Sequence, residues 1–174
     1  MVGGLINMMK RLIALAALSA ASAAAMFIVK KMEAKSSNEA SIRNPVHVVT
    51  KEDFAEAGIN VDVPEEAVNV FWLTIEGVPT LYSLDFFVSG NEYNLRMKKS
   101  DKLDDISGMY YNWSEEKTVS DGDTRAVIQT IDNEAGICLW YRDGYTLSLS
   151  MRGNVSMEDL DSMFQFLNHS LVIG

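Results

Sequence analysis

The stretch that decides the fold is residues 137–151, ICLWYRDGYTLSLSM. Asp-Gly is a dipeptide typical of two-residue hairpin turns, so Asp143-Gly144 predicts a tight turn between two antiparallel strands. The second strand alternates apolar and polar residues: Tyr145, Leu147, Leu149 and Met151 are apolar, and Thr146, Ser148 and Ser150 are polar. Because successive side chains of a strand point to opposite faces, this pattern predicts a sheet with one core face and one wet face.

The segment after this hairpin predicts a helix that covers the core face. Ser156 is a typical N-cap residue with Asp159 three positions on, and Val155 and Leu160 are placed as a hydrophobic staple. Apolar residues then recur at helical spacing: Met157, Leu160, Met163, Phe164 and Leu167. An amphipathic helix needs an apolar surface to cover. We therefore predict an α+β fold in which a curved antiparallel meander sheet is covered by a C-terminal helix.

Upstream of the hairpin, the chain is a succession of predicted strands joined by short turns. The strands are predicted at residues 46–50, 68–75, 81–89, 92–98, 109–119, 125–132 and 137–142. Such short connections join antiparallel neighbours, since a parallel return needs a crossover of a dozen or more residues. Residues 51–57 are predicted to form a brief helix capped by Thr50 and ended by Gly58, residues 59–64 alternate apolar and polar, and residues 100–107 form a helical turn or loop.

An uncharged apolar run, residues 12–29, LIALAALSAASAAAMFIV, lies between two pairs of basic residues. As a helix it is roughly 27 Å long, close to the ~30 Å hydrocarbon core of a bilayer. We predict an N-terminal transmembrane helix, anchored by Leu12, Leu15, Leu18, Met26, Phe27, Ile28 and Val29. The alternatives are a cleaved secretory signal, for which the small residues 19–25 would serve as the cleavage site, and a soluble helix. The run continues into Lys30-Lys31, whose side chains are placed to snorkel to the headgroups, which favours the uncleaved anchor.

The basic residues near this run bear on its orientation. Lys10 and Arg11 precede it, whereas four follow it: Lys30, Lys31, Lys35 and Arg43. By the positive-inside rule, this excess predicts that the C-terminal part lies in the cytoplasm.

Composition limits the classes of partner. Residues 32–174 hold eleven Lys or Arg and twenty-four Asp or Glu, a formal charge of −13. A surface this acidic is repelled by phosphate backbones, so nucleic acid is excluded as a partner. We predict three parts: a segment with a single transmembrane anchor or uncleaved signal at residues 1–31, a polar tether at residues 32–44 and one α+β domain at residues 45–174.

Residues with catalytic or metal-binding chemistry do not form a known pattern. Cys138 is the one cysteine and lies in an apolar run, which indicates a buried hydrophobe. His47 and His169 lie near opposite ends of the domain without metal-ligand spacing. The adjacent acids at 104–105 and 115–116 would point to opposite faces of a strand. We therefore predict no catalytic, cofactor-binding or metal site, no cofactor and no enzymatic activity.

Aromatic residues are spread over most of the predicted strands. Some of them must line whichever face of the sheet the helix leaves uncovered, and that face could hold an apolar ligand or a peptide. The residues that we assign to such a ligand or partner surface are Trp72, Tyr93, Trp113, Trp140 and Tyr145. The alternative is that they fill the core and form cross-strand pairs.

Four short motifs occur in a familiar order. They are residues 91–96, NEYNLR; residues 104–110, DDISGMY; Trp140 with residues 143–149, DGYTLSL; and residues 156–160, SMEDL. With Asn44-Pro45 and residues 63–65, VPE, ahead of them, this order resembles a domain of unknown function, the DUF4367-like group, over residues 44–168. The resemblance implies an exported or membrane-tethered domain of a Gram-positive bacterium. It carries over no catalytic residues, and it places residues 45–174 outside the cytoplasm, against the count of basic residues.

Two functional classes follow from these observations. The first is a membrane-anchored, non-catalytic extracytoplasmic sensing or interaction domain, whose partner is an envelope protein or peptide and which contacts the membrane through residues 12–29. The second is a carrier for a lipid or other apolar ligand in the cell envelope. A carrier needs a continuous apolar lining on one sheet face, which an interaction domain does not. An envelope enzyme of unrecognised type is a third alternative. We favour the first, as a single-pass protein of the cell membrane, or as a secreted protein if the apolar segment is cleaved.

Overall fold

The architecture is a large antiparallel sheet with its helices packed on one face. The computed structural model describes residues 45–174, and ten strands and two helices occur within that range. They are β1 (Val46–Val49), α1 (Lys51–Glu56), β2 (Ile59–Asn60), β3 (Val68–Ile75), β4 (Leu81–Val88), β5 (Asn91–Lys99), β6 (Glu115–Asp121), β7 (Thr124–Ile131), β8 (Ala135–Arg142), β9 (Tyr145–Arg152), α2 (Met157–Ser170) and β10 (Val172–Ile173). The predicted anchor and tether lie outside the described residues.

Eight strands form one open antiparallel sheet in the order β1-β3-β4-β5-β9-β8-β7-β6. The predicted meander is present in each half, where β3-β4-β5 and β6-β7-β8-β9 are consecutive neighbours. It is interrupted at the centre, where β5 pairs with β9 and Leu95 lies opposite Leu149. The chain therefore leaves the middle of the sheet after β5 and returns at the far edge as β6.

One face of the sheet, here called the covered face, carries the hydrophobic core. Leu84, Leu95 and Leu149 of the central strands are fully buried beneath Phe54 of α1 and Phe164 of α2. Aromatic edges add to this contact: the ring of Phe54 lies 4.9 Å from that of Trp72 and 5.1 Å from that of Tyr82, and Phe164 lies 5.2 Å from Trp140. This arrangement confirms an antiparallel sheet with a C-terminal helix in an α+β fold.

Both helices begin where the sequence predicts. The Oγ1 atom of Thr50 accepts a hydrogen bond from the backbone N–H of Asp53, whose carboxylate in turn accepts from the N–H of Thr50. At α2 the Oγ atom of Ser156 accepts from the N–H of Asp159 at 3.0 Å. The bonds are reciprocal only at α1, but at both helices they satisfy amides that have no partner inside the helix, which is why short polar residues fix both starts.

The connection between β5 and β6, residues 100–114, crosses the other face of the sheet and is called the crossing segment here. It contains no helix: backbone bonds from Ser100 to Gly144 and from Ser114 to Thr130 hold its two ends, and side chains hold the backbone between them. The predicted strand at residues 109–119 starts only at Glu115, because Met109 is buried against Ala135 and Ile137 rather than paired in the sheet. Tertiary contacts thus outweigh the β-propensity of residues 109–114.

Candidate functional site

Four of the five aromatic residues assigned to a ligand surface lie on the covered face. Tyr93 is 3 % exposed and stacks on Phe86 at a ring distance of 5.4 Å, and Trp140 is fully buried against Phe164. Trp72 and Tyr145 are half-buried and pack against the same core. Their aromatic area is therefore used largely in packing the sheet against the helices.

Trp113 is the exception and belongs to the opposite face. It is half-buried beside the small cluster of Met109, Ala135 and Ile137, with the ring of Tyr111 5.3 Å away in an edge-on arrangement. The structure thus brings Trp113 together with Tyr111 rather than with the other four predicted residues.

The face opposite the helices, here called the second face, differs in polarity from one edge of the sheet to the other. Near the β1 edge it is apolar and partly exposed, with Val48 68 % exposed. At the centre it is polar, and toward β8 it is apolar again where the crossing segment covers Ile137. The polar centre comprises Ser83 and Asp85 of β4, Asn94 and Arg96 of β5, and Ser148 and Ser150 of β9, and we call these six residues the polar patch.

The polar patch is internally hydrogen bonded at one end. The Nδ2 atom of Asn94 donates to the carboxylate of Asp85 and, at 2.7 Å, to the Oγ atom of Ser83. Burial raises the pKa of Asp85, and the bonds from Asn94 and Ser83 act in the opposite direction. In this position Asp85 accepts hydrogen bonds from Asn94 and Ser83, and the bond from Asn94 links β4 to β5.

Arg96 occupies the other end and connects the sheet to the crossing segment. Its Nη1 atom donates to the carbonyl oxygens of Ser107 at 2.8 Å and Ile106 at 3.1 Å. Its Nε atom is buried and, among residues 45–174, has no hydrogen-bond partner; the same holds for the Oγ atom of Ser148, the residue opposite Arg96 on β9. Burial lowers the pKa of Arg96, and the charge of Asp85 opposes this.

A second anchor of the crossing segment lies one strand away. The N–H of Asp104 donates to the Oγ1 atom of Thr146 at 2.9 Å, and the same hydroxyl donates to the carbonyl oxygen of Asp104 at 2.8 Å. The segment is therefore fixed to β5 and β9 without regular backbone pairing, and its position defines one side of a cleft.

This cleft has a volume of about 370 Å³ and lies between the crossing segment and the turn that joins β3 to β4. Ile106, Gly108 and Tyr110 form one wall, Glu76, Gly77, Val78 and Pro79 form the other, and Arg96 and Lys98 lie at the base beside Ile75 and Leu81. Val78 is fully exposed and Tyr110 is 89 % exposed, so two apolar side chains stand free at the rims. We call this the Arg96 cleft.

Sequence reasoning did not single out Arg96 or Lys98. Each alternates with the buried residues Leu95 and Met97, and such positions on a strand normally face solvent. The motifs behind the family resemblance did include both partners of the contact, since Arg96 ends the first motif and residues 104–110 form the second. Nothing local in either motif indicates that the two meet.

The residues considered for catalysis lie apart from this cleft or are otherwise engaged. The Nε2 atom of His47 lies 2.8 Å from Oε1 of Glu76 on the surface, and the Nδ1 atom of His169 lies 2.8 Å from the carbonyl oxygen of Gln165. Cys138 is buried, and burial raises the pKa of its thiol. Within the described range, no three His, Cys, Asp or Glu side chains are grouped to hold a metal ion.

Neither helix in residues 45–174 has the length and apolar character that a membrane crossing requires. Comparison with models of protein families, with curated proteins and with solved structures gives no match to this chain.

Proposed function

We propose that this protein is a non-catalytic interaction domain, held at the outer surface of the cell membrane by residues 12–29, that contacts its partner through the second face of the sheet. The observation that carries the proposal is the contrast between the two faces. Large apolar side chains fill the covered face, whereas the second face keeps a cleft with exposed apolar rims and a cationic base. Exposed apolar groups around a polar recess are typical of sites that bind a partner.

The carrier alternative has less support from the same contrast. An apolar ligand would lie between the sheet and α2, in contact with a continuous apolar lining. Leu160, Phe164 and Leu167 of α2 are fully buried against the central strands and occupy that position. The second face is interrupted by the charged polar patch, which is a costly surface for a lipid chain.

The orientation is tested by labelling single cysteines in intact cells with a membrane-impermeant thiol reagent. Asp123→Cys places a thiol in the exposed turn between β6 and β7, and Ser37→Cys places one in the predicted tether. The unmodified chain is the control, because its buried Cys138 is expected to stay unlabelled in the folded protein.

The proposal predicts that both introduced cysteines react in unbroken cells and that the labelled protein stays in the membrane fraction. Labelling only after lysis would place the domain in the cytoplasm, in agreement with the count of basic residues, and would overturn the proposal. Labelled protein in the medium would show that residues 12–29 are cleaved.

A further inference from the structure

We infer that the Arg96 cleft binds an organic carboxylate that carries an apolar body. This inference rests on the proposed function, since it names the chemistry of the ligand that the second face would take. Two features carry it: a pair of cationic side chains at the base of the cleft, and apolar walls that rise from that base to exposed rims.

The guanidinium of Arg96 has donors to offer. Its hydrogen bonds within residues 45–174 come from Nη1 alone, and they fix the plane of the group against the crossing segment. Nε is buried and out of reach of a ligand, whereas Nη2 makes no hydrogen bond among the described residues and is not one of the buried, unpartnered atoms. Nη2 can therefore donate a charge-assisted hydrogen bond to a carboxylate in the cleft.

Lys98 adds a second positive charge on the same side of β5. It is half-buried beside Leu81 and forms no ion pair with the described residues. A cation of this kind attracts an anion more strongly than a fully hydrated lysine does. The residues that line the cleft carry two positive charges, from Arg96 and Lys98, against one negative charge from Glu76, so the lining is net positive in a domain that is acidic overall.

The acidic groups near the cleft form their hydrogen bonds with other partners, although the charges of Asp85 and Asp105 also act on Arg96. Glu76 at the rim pairs with His47, and Asp85 accepts hydrogen bonds from Asn94 and Ser83. Asp105 of the crossing segment accepts from the N–H of Ser107 at 2.8 Å. None of these carboxylates is bonded to Arg96 or Lys98.

The walls of the cleft indicate that the part of the ligand beyond the carboxylate is apolar. Val78 and Pro79 on one side and Ile106 and Tyr110 on the other offer apolar contact above the charges. A volume of about 370 Å³ accommodates one aromatic or branched aliphatic group with a short polar link. Inorganic anions fit poorly, because they would lose hydration without gaining apolar contact. The carboxylate could belong to a free acid or to the C-terminus of a peptide.

The probes are N-acetyl-L-phenylalanine and a ten-residue peptide that ends in phenylalanine, each compared with its C-terminal amide. Binding to the full chain in detergent micelles is measured by ligand-observed NMR. We expect the acid to bind with a Kd on the order of 1 mM and the amide to bind at least about tenfold more weakly. A peptide that binds more tightly than the free acid identifies a chain terminus as the ligand; a free acid that binds alone identifies a small molecule.

Lys98→Gln and Lys99→Gln form the matched pair of variants. Both remove one positive charge from adjacent positions of β5, but Lys98 faces the cleft and Lys99 faces the other side of the sheet. Lys98→Gln is expected to weaken binding of the acid about threefold and to leave binding of the amide unchanged, whereas Lys99→Gln leaves both unchanged. Arg96→Lys keeps the charge but loses the Nη2 donor that the two Nη1 bonds hold in place, and is expected to weaken binding about tenfold.

Equal binding of acid and amide, equal effects of the two lysine variants, or no binding of either acid at 10-fold the expected Kd, about 10 mM, would each overturn the inference. None of these results would change the outcome of the labelling experiment in intact cells. The proposed function and this inference therefore fail separately.

Discussion

The Nη1 atom of Arg96 lies 2.8 Å from the carbonyl oxygen of Ser107, which it contacts from the centre of the sheet. This bond joins β5 to a segment without regular secondary structure. Removing Arg96 is costly for two reasons. The carbonyl oxygens of Ile106 and Ser107 lose their hydrogen-bond donor, and the nearby Asp85 loses a neighbouring positive charge.

Replacing Arg96 tests how much it contributes to the stability of the fold. Arg96→Gln is expected to lower the free energy of unfolding by about 2–4 kcal/mol. Urea unfolding of the full chain in detergent micelles, followed by tryptophan fluorescence, measures the change. Arg125→Gln removes an exposed arginine of β7 and is expected to stay within about 0.5 kcal/mol of the unmodified chain. If the two variants were equally stable, the bond would have no structural role.

Gly108 lies directly against Arg96, and no side chain fits there. Its φ is +70°, and a Cβ atom would lie 2.7 Å from Nη1 of Arg96. Gly108→Ala is therefore expected to cost about 2 kcal/mol, part from backbone strain and part from displacing the guanidinium. Gly122→Ala is the control, since its φ is +57° and a Cβ atom there meets nothing within 4 Å. An equal loss of stability in the two variants would show that Arg96 moves away freely.

The carboxyl of Asp85 makes stability depend on pH in a definite direction. Burial raises its pKa above the ordinary value of 3.8, so the folded chain holds this proton more tightly than the unfolded chain. The stability of the unmodified chain relative to Asp85→Asn should therefore fall as pH rises from about 4 and level off above the folded-state pKa. Urea unfolding of both proteins across this range gives the difference. A difference that grows with pH would mean that the ionised carboxylate is favoured in the fold.

Gly136 sets how closely α2 approaches the sheet. A Cβ atom there would lie 2.6 Å from Cδ1 of Leu160 and 2.9 Å from Cγ1 of Val155. Gly136→Ala is expected to destabilise the fold by about 1–3 kcal/mol through overpacking. Adding Leu160→Val should recover part of this loss, because it removes a methylene group at the point of contact. Strictly additive losses in the double variant, measured by urea unfolding, would contradict the close contact.

Local patterns predict much of the fold. The Asp143-Gly144 turn, the caps at Thr50 and Ser156 and the alternation in β9 each depend on residues within a few positions of one another. The pairing of β5 with β9 does not, because it joins residues 46 to 60 positions apart whose patterns would suit other neighbours equally well. This explains why the order of strands departs from a simple meander.

The same limit applies to the candidate site. Tyr93 and Trp140 are typical of binding surfaces by residue type, yet their place on the covered face is decided by register. Arg96 is a polar residue at a position where a strand normally faces solvent, and only the path of the crossing segment makes it a buried contact. A segment held by side chains rather than by backbone pairing has no periodicity from which to predict its position.

The Arg96 cleft exists only if the crossing segment is fixed across the second face, and amide hydrogen exchange measures this directly. The N–H groups of Asp104, Ser107 and Met109 donate to Thr146, Asp105 and Ser107 respectively, although none of them lies in a helix or strand. We predict that these three amides exchange at least about a hundredfold more slowly than unstructured amides, and that Arg96→Gln removes most of this protection. Exchange at unprotected rates in the unmodified chain would contradict the account, because the Arg96 cleft would then lose one of its walls.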